Sequence, residues 1–284
     1  MPRENQQSNQ KRRTFLKRAG IASTSLALGS GVASAQGKKK GKPEETASAS
    51  SSISVGPDTP GLSKSEHDDY VARMREKYGD QGVWGSQDDG DLSTEASTPG
   101  HMDNLTYVNA WTEHLEATDD GGTVIAESDN QVALYKSDVK DEYDREHYFY
   151  WHWTSGQSRD YWDFTGNLWN MWNRVSLGSG YDMLAYDPDQ DLTRNGKTYT
   201  VGLSAAYRGV GVSIEGDFTL GQDKVRPHPE YTTVGSDGMY AVQWIGDYEG
   251  TQAFNGTCEE RRPEYAGRDF SWKVYLKAGK YAKV

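Results

Sequence analysis

Residues 147–153 read His-Tyr-Phe-Tyr-Trp-His-Trp, the densest aromatic run in the chain. In an extended strand, alternation places Phe149, Trp151 and Trp153 on one face and Tyr148, Tyr150 and His152 on the other. Trp162, Trp169 and Trp172 follow closely, so five of the nine tryptophans lie between positions 151 and 172. Aromatic rings tolerate half-burial and offer flat faces suited to the C–H surfaces of pyranoses. Tyr148, Tyr150, Trp151, Trp153, Trp162, Trp169 and Trp172 are therefore candidate glycan-binding residues. The competing reading of the same pattern is a central strand packed on both faces.

Asp187-x-Asp189-x-Asp191, followed by Asn195-Gly196, spaces oxygen ligands every second residue. Calcium needs several such oxygens converging at about 2.4 Å, so Asp187, Asp189, Asp191 and Asn195 form a candidate metal loop. The loop lacks the glycine at its sixth position and the distal glutamate of the helix–loop–helix calcium motif. Calcium is the only cofactor these residues suggest.

Nucleophilic and hydrolytic chemistry leaves fainter marks. The single cysteine, Cys258, cannot form an internal disulfide, and no sequence motif pairs it with a base. The six histidines, His67, His101, His114, His147, His152 and His228, show no zinc-protease spacing. No Gly-x-Ser-x-Gly elbow, phosphate loop or dinucleotide fingerprint is present. Glu215 and Asp217 share a strand face, but the spacing locates no glycosidase pair. Asn104-Leu-Thr106 and Asn255-Gly-Thr257 are sequons for N-glycosylation.

These residues must be carried mostly by strands. One helix is expected over 63–78, with Ser65 and Asp68 as a capping pattern and Tyr70, Val71, Met74 and Tyr78 on one face. Residues 85–103 read as loop. Strands are expected over 105–116, 122–128, 131–137, 145–154, 168–176, 198–207, 210–220, 239–246 and 270–277, with turn residues between them. That spacing predicts an all-β fold, a single antiparallel sandwich or barrel-like domain with one N-terminal α-helix. Within it, a two-residue turn at Arg208-Gly209 would set Tyr207 against Val210, Ala205 against Val212 and Leu203 against Ile214. All the large apolar side chains of that hairpin then share a face. The opposite face carries Gly202, Ser204, Ala206, Gly211 and Ser213.

Charge bounds the partners. The chain holds 31 basic and 42 acidic residues; the first 42 residues contain 10 basic and 1 acidic, which leaves a net of −20 beyond them. Such a surface disfavours nucleic acid, whose phosphates require clustered Lys and Arg. No later apolar run is long enough for a stable membrane span.

The first residues carry a different signal. Lys11-Arg12-Arg13-Thr14-Phe15-Leu16-Lys17, a short weakly apolar stretch and Ala33-Ser34-Ala35 resemble a twin-arginine export leader with its cleavage site. Together with the acidic composition, the leader resembles those of exported haloarchaeal proteins. The resemblance implies secretion, a twin-arginine translocase as partner through Arg12 and Arg13, and a hydrated surface adapted to concentrated salt. It implies nothing about activity. The expected organisation is a leader over 1–35, a disordered linker over 36–60 and a β-rich secreted domain over 61–284. The first functional expectation is a non-enzymatic protein binding glycan or envelope polymer. The alternatives are a membrane-active or antimicrobial toxin using the 200–220 ribbon, and a polysaccharide hydrolase.

Overall fold

A computed structural model of the chain describes residues 43–78, 101–263 and 266–283; the leader, Arg12 and Arg13 included, lies outside the described residues. The fold is all-β, built from antiparallel sheets that stay open rather than closing into a barrel. Fourteen strands and one helix, α1 (Lys64–Tyr78), make up the described elements.

Sheet A has the order β1 (Glu45–Val55), β14 (Phe270–Ala282), β6 (Phe164–Leu177), β12 (Met239–Tyr248) and β10 (Lys224–Pro227). Sheet B runs β11 (Gly235–Ser236), β7 (Asp182–Asp187), β13 (Thr251–Arg262), β5 (Glu146–Ser158), β4 (Val124–Ser137) and β3 (Leu105–Thr118). Sheet C is smaller: β2 (His101–Asp103), β9 (Val210–Leu220) and β8 (Lys197–Tyr207). Sheets A and B pack face to face over Trp244, Trp272, Val175, Met171, Tyr150, Leu134 and Phe254. Sheet C covers part of the other face of sheet B, where Leu203, Val212 and Ile214 meet Phe149, Trp151 and Tyr135. Helix α1 covers a second part, with Tyr70, Met74 and Tyr78 around Trp153.

Sheet B is thus a middle layer, and its sequence shows why. Strand β5 is apolar or aromatic on both sides of the pleat, the pattern of a strand that meets protein in both directions. Trp151 and Trp153 are fully buried. Tyr70 and Tyr78 approach Trp153 edge-on, each at 6.3 Å between centroids. On the inner face Tyr150 meets Phe270 at 5.0 Å and His152 meets Tyr240 at 5.3 Å, again edge-on.

The hairpin forms as its alternation requires. Tyr207 pairs with Val210, Ala205 with Val212 and Leu203 with Ile214. Arg208 and Gly209 turn with φ of 50° and 82°, a left-handed pair that glycine adopts freely. Helix α1 also forms, with Tyr70, Val71, Met74 and Tyr78 buried. Its cap is Ser63 with Glu66, two residues before the expected pair: Ser63 N–H donates to Glu66 Oε2 at 2.8 Å and Glu66 N–H to Ser63 Oγ at 3.3 Å.

Three expectations are corrected. Residues 45–55, placed in a disordered linker, form β1, paired along its length with β14. Its inward residues Ala47 and Val55 are buried, while the outward row is serine and threonine, so the strand mimics low-complexity sequence. The expected strands 122–128 and 131–137 are one strand, because Asn130 and Gln131 are buried and paired rather than turning the chain: Thr154 Oγ donates to Asn130 Oδ1 at 3.0 Å, and Gln131 Nε2 lies 2.8 Å from His67 Nε2. Residues 101–103, expected in a loop, are the edge strand β2. No helix among the described residues is long and apolar enough to cross a membrane.

Candidate functional site

The structure divides the aromatic candidates. Tyr148, Tyr150, Trp151 and Trp153 belong to the core, which corrects their assignment to a ligand face. Each of these tryptophans withdraws on the order of 200 Å² from water, worth about 5 kcal/mol at 25 cal/mol/Å² before the entropy cost. A sugar stacked on one ring returns only about 1 kcal/mol, so exposing them for a ligand is unfavourable. Trp162 stands alone in the loop before β6, with 89% of its surface exposed. Trp169 and Trp172 lie on β6, and they lead to the one surface where several candidate groups converge.

That surface is the outer face of sheet A. Paired residues of an antiparallel ladder share a face, so the register defines it. Strand β14 contributes Lys273, Tyr275 and Lys277, opposite Arg174, Trp172 and Asn170 of β6. Strand β1 places Ser48, Ser50 and Ser52 opposite Lys277, Tyr275 and Lys273. Gln243 and Ile245 of β12 lie opposite Trp172 and Asn170, and Arg226 and Lys224 of β10 follow. The extra residue of the β6 bulge is Trp169, which packs over Gly279; a Cβ there would come within 2.6 Å of its ring.

The side chains interlock. Trp172 stacks on Tyr275 with centroids 5.4 Å apart and planes inclined by 14°. His228 and Tyr231 roof Trp172 at 6.2 and 5.6 Å, leaving it only 7% exposed, so it organises the face rather than presenting a platform. Arg226 Nε donates to Gln243 Oε1 at 3.3 Å, and Gln243 Nε2 donates to Asn170 Oδ1 at 3.0 Å, forming an amide ladder across three strands. Carboxylates stand at its margins: Asp247, to which Asn167 Nδ2 donates at 2.5 Å and the Tyr281 hydroxyl at 3.2 Å, and Asp191, 3.3 Å from Lys224. The open part therefore offers Tyr275, Trp169, ammonium groups, an amide and a row of hydroxyls. Sequence reading reached Trp169 and Trp172 but missed Tyr275, Lys273, Lys277 and Arg174, because strand pairing brings them together from distant segments.

The other candidate centres resolve differently. In the 187–195 loop the Asp187 carboxylate accepts the Gly202 N–H at 2.8 Å, and Asp191 pairs with Lys224 at 3.3 Å. Asp187, Asp189 and Asp191 are not among the described groups of three acidic, histidine or cysteine side chains whose ligand atoms converge within 4.8 Å. Among the described residues the group that does converge is His114, Glu116 and Glu127, with ligand atoms within 4.8 Å of one another. There the Lys77 ammonium lies 2.8 Å from Glu127 and 2.6 Å from Asp129, so a protein cation already holds the position between the carboxylates. His147, similarly, lies 2.8 Å from Glu259 and 3.4 Å from Asp141, while Tyr207 donates its hydroxyl to Glu259. These clusters bind α1 and the hairpin to sheet B. Cys258, which has no sequence motif around it, faces His152 inside the core. Of the two sequons, Asn104 is exposed and Asn255 is buried in β13, so the folded chain presents only Asn104 to a glycosylating enzyme.

No protein-family model matches the chain, and no curated protein is significantly similar to it in sequence. The functional reading therefore rests on the sites themselves.

Proposed function

We propose that the chain is an exported, salt-adapted binding protein for a glycan or cell-envelope polymer, held against the outer face of sheet A. The observation that carries this reading is the composition of that face. In a chain with a net charge of −11, this face carries Lys224, Arg226, Arg174, Lys273 and Lys277 beside Tyr275, Trp169 and Trp172, with Asp247 and the Lys224 partner Asp191 at its margins. Concentrated salt shortens the Debye length to about 3 Å, so cations act there only by contact. A shallow face of rings, amides and hydroxyls suits an extended polymer that makes many weak contacts.

The toxin reading has less support. The large side chains of the β8–β9 hairpin close on sheet B, and an inserting hairpin would have to abandon that core. The hydrolase reading also has less support, since the buried carboxylate pairs described above are each bridged by a lysine or a histidine.

The test is titration of the purified chain, in molar potassium chloride, with envelope polysaccharides, followed by tryptophan fluorescence. Tyr275→Ala and Trp169→Ala should each weaken binding about fivefold, the equivalent of about 1 kcal/mol, with unchanged circular dichroism. Affinity unchanged in both variants sinks the reading.

A further inference from the structure

The outer face of sheet A contains an electrostatic arrangement that its own fold does not need. Lys273 of β14 stands directly opposite Arg174 of β6. Like charges directly opposed across strands destabilise a sheet. Both cations lean on the same ring: Arg174 lies 5.7 Å and Lys273 5.8 Å from the Trp172 centroid. Arg174 also lies 4.7 Å from the Tyr231 ring, and its Nε is buried with no acceptor. Lys277 sits over Trp169 at 5.5 Å. None of the three forms an ion pair among the described residues. Many basic residues elsewhere are taken up by carboxylates, among them Lys77, Lys136, Arg159, Arg208, Arg261, Arg262 and Lys280. With acidic residues in such surplus, cations left unpaired together on one face point to an anion from outside.

We infer that the polymer is a polyanionic polysaccharide, bearing carboxylate or sulfate groups, and that Arg174, Lys273 and Lys277 read its charge. The inference rests on the reading of this face as a glycan site. Lys273 and Lys277 are four residues apart on one strand, hence about 13 Å, with Tyr275 between them as a stacking surface. Ser48, Ser50 and Ser52 border this row along β1 and supply hydroxyls to the sugar. The rings hold the cations in place, so little side-chain entropy remains to be lost on contact. Nucleic acid shares the charge, but the neutral serine row bordering these cations suits the hydroxyls of a sugar chain.

The experiment compares four probes on the same chain in molar potassium chloride: polygalacturonate, dextran sulfate, neutral dextran and single-stranded DNA. The two acidic polysaccharides should bind at least tenfold more tightly than dextran or DNA. Lys273→Gln with Lys277→Gln should lose about tenfold for the acidic polymers. Lys273→Glu, which creates a cross-strand pair with Arg174, should raise the thermal midpoint and abolish binding. Dextran binding as tightly as the acidic polymers overturns the anionic assignment and leaves the glycan reading standing. Binding of none of the three polysaccharides overturns both. DNA binding as tightly as dextran sulfate overturns the polysaccharide assignment, and a destabilised Lys273→Glu variant overturns the role given to the Lys273–Arg174 opposition.

Discussion

Cys258 Sγ lies 3.6 Å from His152 Nε2 in the sealed space between sheets A and B. The other ring nitrogen of His152, Nδ1, lies 3.0 Å from Asn173 Oδ1, which also accepts the Trp272 indole N–H at 2.8 Å. A thiol, an imidazole and an amide in this order could make a nucleophile, its base and an orienting group. Burial reverses that chemistry: it pushes the Cys258 thiol well up and lowers His152 to about 4, so both stay neutral. The thiol is therefore inert. Iodoacetamide should label the native chain no faster than the chain globally unfolds, and should label it rapidly in guanidinium. Labelling of native protein at the rate of a free thiol would refute this.

The hairpin supplies a second prediction. Ile214 is fully buried against sheet B, while its neighbour Ser213 points to the other side, its hydroxyl 3.3 Å from Asp103. Ile214→Asp puts an unpaired charge in the core and should cost more than about 4 kcal/mol, enough to unfold a marginally stable chain. Ser213→Asp adds a repulsion with exposed Asp103 and should cost less than about 1 kcal/mol in high salt. Equilibrium denaturation of the two variants decides the matter, and a larger loss for Ser213→Asp would mean that the faces are reversed.

Three groups dominate the dependence of stability on pH near neutrality, His67, His152 and the half-buried Asp187, and carboxylates whose pKa is lowered in the fold, such as Glu127 and Asp129, add to the loss in acid. Burial lowers His67 and His152 from 6.5 to about 4. Unfolded chains take up these protons first, so stability is lost as pH falls from about 6.5 to about 4, by about 3 kcal/mol per histidine. Asp187 acts in the opposite sense. Burial, then the neighbouring Asp189 carboxylate, raises it from 3.8 to about 6, against the Gly202 N–H that lowers it. Its contribution is fully present below 3.8 and is lost as pH rises through about 6, again about 3 kcal/mol. Two histidines outweigh one aspartate, so acidification from 6.5 to 4 should destabilise the chain by about 3–4 kcal/mol in urea titrations. Asp187→Asn should stabilise the chain at pH 7 and steepen that acid loss. A variant less stable at pH 7 would contradict the assignment.

Much of this architecture is legible locally, and the exceptions have physical causes. Strands β8 and β9 announce themselves because period-two alternation and a left-handed turn agree. Strand β13 escapes notice because its buried positions include Glu259, Glu260 and Arg262, which read as surface. Their burial is compensated by partners remote in sequence: Tyr207 and His147 for Glu259, Tyr150 for Glu260, which also pairs with Arg262. The aromatic run of β5 is visible as a strand, but nothing within it says that a helix and a second hairpin will cover its far side. The sheet A face is invisible for the same reason, since its rows come from residues 48–52, 169–174, 224–226, 243–245 and 273–277 and only strand pairing makes them neighbours.

The pairing of β1 with β14 also bears on biosynthesis. Of the described strands, the first in the chain finds its hydrogen-bonding partner in the last, from Glu45 with Lys280 to Val55 with Phe270. Until β14 emerges, sheet A lacks the strand that joins β1 to β6, and the chain cannot close its core during synthesis. Closure of so non-local a pair is a late, slow event. Any truncation that removes β14 leaves β1 without a partner and exposes the edge of β6 that β14 covers.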